Sequence, residues 1–226
     1  MASHKEKQQD EMAIDRMNSH LTDAGRKIAD NKKIIFIAVG VILVVAAFVM
    51  SYLFIYRNPH MEKAFEAYNT VETQALTDSV AAEQYMNVAN QYSSDAPGKL
   101  AALEAGEALY NQGRYEEAAE YLKKFSCKDD VLEANALVLT GDCYVNLQKY
   151  DEAINYYQKA VRKANNNPQI VPRVLLKEAN VYDAQGNYGK ALDCYQQIKN
   201  NYPEFKLGNG MEMDAYIARE IARMSE

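Results

Sequence analysis

The sequence predicts an all-α fold, a single transmembrane helix followed by a solenoid of helical hairpins. Three observations predict it. The run from Ile34 to Ile55 holds no charged residue. Beyond it, a short motif recurs around Tyr115, Tyr150 and Tyr188, at spacings of 35 and 38 residues. Tyr 17 stands against Phe 6 and Trp 0, so the fold favours rings with one apolar body and one polar tip.

The apolar run reads IIFIAVGVILVVAAFVMSYLFI. At about 1.5 Å per residue it covers the roughly 30 Å of a hydrocarbon core. Tyr52 and Tyr56 stand at its outer end, where interfacial aromatics belong. A cleaved signal sequence has a shorter apolar stretch near the N-terminus and a small-residue cleavage site. This run begins at residue 34 and lacks such a site, so residues 34–56 are expected to be a signal anchor. Arg16, Arg26, Lys27, Lys32 and Lys33 precede the run, and only Arg57 and Lys63 follow it closely. The positive-inside rule keeps residues 1–33 in the cytoplasm and carries residues 57–226 across, in a bacterium into the periplasm. Gly40 has Phe36 and Val44 four residues away, so the small-xxx-small dimer pattern is absent. In the tail, Ile14, Met17, Leu21, Ala24 and Ile28 share one helical face. That face reads equally as a docking helix and as a marginal, fraying one.

The repeats begin with three aligned segments, Gly-Arg-Tyr-Glu-Glu-Ala at 113–118, Gln-Lys-Tyr-Asp-Glu-Ala at 148–153 and Gly-Asn-Tyr-Gly-Lys-Ala at 186–191. A small residue and then an apolar or aromatic one precede each: Gly106 and Leu109, Gly141 and Tyr144, Ala179 and Tyr182. Leu122, Tyr157 and Tyr195 follow. The pattern describes a helix, a tight turn and an antiparallel second helix. Gly113 and Gly186 end the first helix without the penalty of a left-handed side chain. Ala118, Ala153 and Ala191 let the second helix approach the first. Repeats are expected at 99–132, 134–168 and 172–205, with a degenerate pair at 61–96 turning at Leu76–Asp78. Pro203 ends the last repeat, and a capping helix is expected at 211–224.

These segments resemble tetratricopeptide repeats over about residues 99–203. Departures are Ala102 where an aromatic is usual, Gln148 in place of a turn glycine, and an expected longer loop at Lys163–Val171. The resemblance implies a binding groove lined by the first helix of each hairpin. It places Leu103, Glu107 and Tyr110 there from repeat one, Asn135, Val138, Asp142 and Asn146 from repeat two, and Arg173, Leu176, Asn180 and Asp183 from repeat three. Within each set the spacing is three or four, so each set shares a helix face. Leu, Val and Tyr mixed with Glu, Asp and Asn suit an extended or unfolded polypeptide, above all a basic one; a groove without a ligand is the alternative. Leu103 and Glu107 occupy positions where chaperone adaptors carry a cation and an amide for a C-terminal carboxylate, which argues against that clamp.

Other functions are disfavoured by composition. From Pro59 onward there are 17 Lys+Arg against 25 Asp+Glu, an acidic balance that repels phosphate backbones, so nucleic acid is not an expected partner. His4, His20 and His60 all precede the repeats, so no His is available there for a triad or a metal site. No phosphate-cradling glycine motif is found, and no cofactor or small-molecule substrate is expected. Asp129–Asp130 and Glu116–Glu117 read as loop or helix-start carboxylates. Cys143 and Cys194 fall within predicted helices and read, with Cys127, as free thiols in preference to a disulfide. A non-enzymatic role follows.

The order of elements, together with the stretch PGKLAALEAGEALYNQGRYEEAAEYLKKF at 97–125, resembles the YfgM family of single-span ancillary subunits of the bacterial Sec translocon. That resemblance implies Sec translocon subunits, periplasmic chaperones and exported polypeptides as partners. Two other readings stand beside it, a tethered scaffold for cell-envelope assembly and a transmembrane signalling adaptor.

Overall fold

The computed structural model describes residues 31–74, 78–206 and 213–224. Residues 1–60 and 61–226 form separate compact units. The expected tail helix at Ile14–Ile28 lies outside the described residues.

In the first unit, α1 (Lys32–Ser51) is exposed along its whole length and is long and apolar enough, by length and composition, to cross a membrane. A wider π-helical stretch follows at Tyr52–Arg57. There the Tyr52 and Tyr56 rings stack at 5.6 Å, and the His60 imidazole stacks on Tyr56 at 6.0 Å.

The second unit is built from helices. α2 (Asn58–Thr73) and α3 (Asp78–Gln91) stand where the degenerate pair was expected. Residues 75–77 of its turn lie outside the described residues. The hairpins follow as α4 (Ala96–Asn111) with α5 (Tyr115–Leu122), α6 (Asp130–Asn146) with α7 (Tyr150–Lys163), and α8 (Val171–Ala184) with α9 (Tyr188–Asn201). α10 (Met213–Met224) packs on α9 as the expected cap. The first two hairpins begin a few residues before the repeat boundaries expected from sequence, at Ala96 and Asp130.

Local chemistry explains the hairpins. Pro97 stands in the first turn of α4 and Pro172 in that of α8, where a missing N–H costs no helical bond. Asp129 caps α6 by accepting hydrogen bonds from the Val131 and Leu132 N–H groups. Each hairpin turn contains one left-handed residue: Gly113 at φ 77°, Gln148 at φ 58° and Gly186 at φ 71°. The following N–H groups of Arg114, Lys149 and Asn187 reach back to Leu109, Tyr144 and Tyr182 carbonyls, closing the same C-terminal motif three times. Gln148 therefore performs the glycine's part at some cost, because its Cβ crowds the left-handed backbone. The loop expected at Lys163–Val171 lies between α7 and α8. Its connection, 164–170, matches 123–129 in length and winds tightly through Asn165 and Asn166 at positive φ, a conformation asparagine tolerates.

Packing follows the small residues. Ala118, Ala153 and Ala191 are all 0 % exposed. A Cβ on Gly106 would lie 2.5 Å from Leu122 Cγ, and one on Gly141 would lie 2.5 Å from Tyr157 Cε1. Two apolar cores result. One includes Tyr68, Leu109 and Leu122; the other includes Tyr157, Leu175 and Tyr195. They meet on α6, where Tyr144 touches both. Neighbouring hairpins are also laced at their turns: Arg114 donates to Glu83 at 3.0 Å, Lys149 to Glu116 at 3.1 Å and Gln185 to Asp151 at 3.0 Å. All three contacts are solvent-exposed, so each contributes at most about 1 kcal/mol.

Candidate functional site

Asp142 lies at the centre of the groove between α6 and α8. The Tyr157 hydroxyl, reaching from α7, donates to its Oδ1 at 2.6 Å. The Lys177 ammonium of α8 donates to Oδ1 at 3.0 Å and to Oδ2 at 2.9 Å. Burial, and after it the charge of Asp142, push the Tyr157 hydroxyl far above its ordinary value, so it keeps its proton and acts as a fixed donor. One turn along α6, the Asn146 amide donates to the Asp142 carbonyl at 2.8 Å and to the Tyr110 hydroxyl at 3.4 Å. The Tyr110 ring meets Tyr115 edge-on, with centroids 5.3 Å apart. These groups border a cavity of about 330 Å³, with Asn180 on its rim and Val145 and Val181 in its wall. Chemically it offers amide and phenol groups, a lysine with one proton to spare, and a short apolar wall. Such groups are able to hydrogen-bond and pack against a polypeptide.

The groove is acidic toward its N-terminal end. Among the described residues, Glu104 and Glu107 of α4 make no hydrogen bond or ion pair. Burial raises the Glu104 carboxyl, and the nearby Glu107 and Glu72 carboxylates raise it further. Glu107 is open at the surface, yet its surroundings withdraw enough water to raise its carboxyl too. Beside them the Tyr68 hydroxyl donates to Glu72 at 3.1 Å, and the Tyr68 and Tyr85 rings lie 5.9 Å apart.

The residues expected in the groove are thus only partly gathered. Tyr110, Asp142, Asn146 and Asn180 come together around the cavity. Glu107 and Asn135 are exposed, while Val138 and Leu176 are half-buried against the second core. Leu103 is 4 % exposed and belongs to the first core, a correction to its expected place in the groove. α4 is covered on most faces, and its register turns Glu104, not Leu103, toward the groove. Arg173 borders a different cavity, formed with Pro168, Tyr202 and Phe205. Asp183 accepts from Arg223 of the capping helix at 2.6 Å, so the cap engages it. Lys177 is a cavity-lining residue that sequence reasoning missed. It falls four residues after Arg173 and three before Asn180, so the same helix face already contained it.

Comparison with known proteins agrees with this architecture. A tetratricopeptide repeat family model matches residues 79–130 and 103–168, and a second model of the same description matches 173–204. The chain is 31 % identical over 94 residues to a tetratricopeptide repeat-containing protein of Methanocaldococcus jannaschii, covering 42 % of this chain and 16 % of that one. It is 29 % identical over 98 residues to the phagocyte signaling-impaired protein of Drosophila pseudoobscura pseudoobscura, covering 43 % of this chain and 10 % of that one. The chain thus spans less than a fifth of the length of these curated relatives. The crystal structure of MamA protein superposes with a TM-score of 0.54 at 19 % identity, covering 74 % of this chain and 85 % of that one, a likeness of fold. The matched segments together span more than half of the 226 residues. The chain belongs to the tetratricopeptide repeat family, whose members mediate protein–protein interaction.

Proposed function

We propose that this chain is a membrane-anchored interaction module that holds extended polypeptide in the groove around Asp142. One observation carries the reading: a wholly exposed helix of membrane-spanning length, free of charge from Ile34 onward, stands ahead of a repeat domain whose groove is lined by polar and aromatic side chains. A helix apolar on all sides and covered by nothing has hydrocarbon as its natural surroundings. The flanking lysines and arginines orient it with residues 1–33 in the cytoplasm and the repeats in the periplasm of a bacterium. There the module serves as an ancillary component of the Sec translocon and the periplasmic chaperone network, receiving exported chains.

Crosslinking in cells, followed by purification of the full-length protein in mild detergent and mass spectrometry, tests this. Enrichment of translocon channel subunits and periplasmic chaperones is expected, and Asp142→Ala is expected to reduce recovery of exported polypeptides. Recovery of a single envelope-assembly complex without the channel would replace the reading with that of a tethered scaffold. Fusing residues 59–226 to an unrelated span adds a second discriminator: an export role needs the native span, and full function of the fusion counts against it.

A further inference from the structure

The internal repeat supplies a template for what the acidic end of the groove binds. From repeat two to repeat three the register advances by 38 residues, read from Tyr150 and Tyr188. From repeat one to repeat two it advances by 35, read from Tyr115 and Tyr150. Glu107 therefore occupies in repeat one the place that Asp142 occupies in repeat two. Asp142 receives an ammonium at 2.9 Å from Lys177 of the next repeat. The residue in Lys177's register one repeat earlier is Leu139, which packs half-buried on the first core. Glu107 thus has the carboxylate of the pair without its cation, and Glu104, in the same register as Leu139 and Lys177, adds a second carboxylate where a lysine would reduce the charge.

Nothing in the fold of α4 requires this. Two carboxylates lie partly withdrawn from water, near Glu72 and without a counter-charge among the described residues, an arrangement that costs stability in the free protein. Near Glu104 the half-buried Tyr85 ring, backed by the buried Tyr68, leaves an apolar surface suited to the methylene stem of a long cationic side chain.

We propose that the stretch of groove formed by Glu104, Glu107 and Leu139 receives a lysine or arginine side chain of the bound polypeptide, in the position that Lys177 takes for itself one repeat later. This rests on the groove reading above and narrows it: the guest is an extended basic segment, with its cation entered between α4 and α6 and its backbone continued toward Tyr110 and Asn146. The second cation site along the groove is already filled from within, so the guest is read for charge at one place and for shape at the next.

Fluorescence anisotropy on the full-length protein in nanodiscs provides the test. The probes are a labelled Gly/Ser/Leu decapeptide with two central lysines and the same peptide with both lysines acetylated. The lysine peptide is expected to bind about tenfold more tightly, the size of one charge-assisted hydrogen bond, and to weaken with added salt. Glu107→Gln is expected to abolish the preference while leaving the acetylated peptide's affinity unchanged. Leu139→Lys installs the missing cation and is expected to exclude the lysine peptide; its thermal midpoint shows whether it folds, and Glu107→Gln carries the test if it does not. Equal affinity of the two peptides overturns the cation site and leaves groove binding intact. Failure of both peptides to bind overturns the site and the groove reading together.

Discussion

Gly141→Ala is the substitution that most directly probes why the hairpins pack as they do. The new Cβ would lie 2.5 Å from Tyr157 Cε1 and 2.7 Å from Cδ1. Carbon atoms in good contact are about 3.5–4.0 Å apart, so the ring has to retreat by about 1 Å. Tyr157 is 2 % exposed and its hydroxyl is held 2.6 Å from Asp142, so there is little room to retreat without lengthening that bond. Overpacking of this kind costs about 1–3 kcal/mol, and loosening a hydrogen bond to a carboxylate adds part of about 1.5–3 kcal/mol. Replacing an interior helical glycine by alanine returns about 1 kcal/mol. The net expectation is a loss of about 1–3 kcal/mol, and for a domain of this size each kcal/mol lowers the melting midpoint by about 2–4 °C. Thermal unfolding followed by circular dichroism on the full chain measures it. The decisive comparison is a Tyr157→Ala background, which removes every ring atom the new Cβ would meet, so that Gly141→Ala should stabilise there. If the alanine stabilises the unmodified protein, or costs the same in both backgrounds, Gly141 is not there to admit Tyr157.

Three further outcomes follow from the same structure. Gln148→Gly should raise the melting midpoint, because relieving a left-handed side chain is worth about 1–2 kcal/mol, reduced by the glycine's greater freedom when unfolded. Glu104→Gln should stabilise the protein at neutral pH: its carboxyl is raised by burial and by Glu107 and Glu72, so ionisation opposes folding above that raised value. With Tyr68 and Tyr85 the other titratable groups nearby, the gain should shrink as pH falls through the raised range and vanish below about pH 4, as stability curves at several pH values would show. Burial pushes the Cys143 and Cys194 thiols up to about 12, so an alkylating reagent at pH 8 should modify half-buried Cys127 first; mass spectrometry of early time points reading Cys143 or Cys194 first would contradict the packing of both cores.

The fold was legible because its punctuation is local. A turn glycine, a small residue seven positions before it and an alanine five positions after it describe one hairpin, and Gly113, Gly106 and Ala118 occupy those places in the structure. The site was legible only in part because it depends on which helix faces remain open once neighbours have packed. Leu103 and Glu104 differ by one step along α4, and only the placement of α3 and α5 around that helix decides which of them is covered. Lys177 escaped notice since a lysine on a repeat helix usually means a solvated face; its meaning arises from Asp142, 35 residues earlier. Asp183 belongs to the cap instead of the groove because α10 folds back to bring Arg223 against it, and no periodicity in α8 reports that.

The lacing of the turns also bears on how the domain is made. Arg114, Lys149 and Gln185 find their partners 31, 33 and 34 residues earlier, about one repeat back along the chain. A domain whose contacts are this short-ranged is folded by extension, hairpin upon hairpin, with little entropy spent on closing long loops. Each new pair of helices has its template in place before it arrives. The chain can thus gain structure vectorially as it emerges from a ribosome or a pore, and only the last pair waits for Met213–Met224 to close the end.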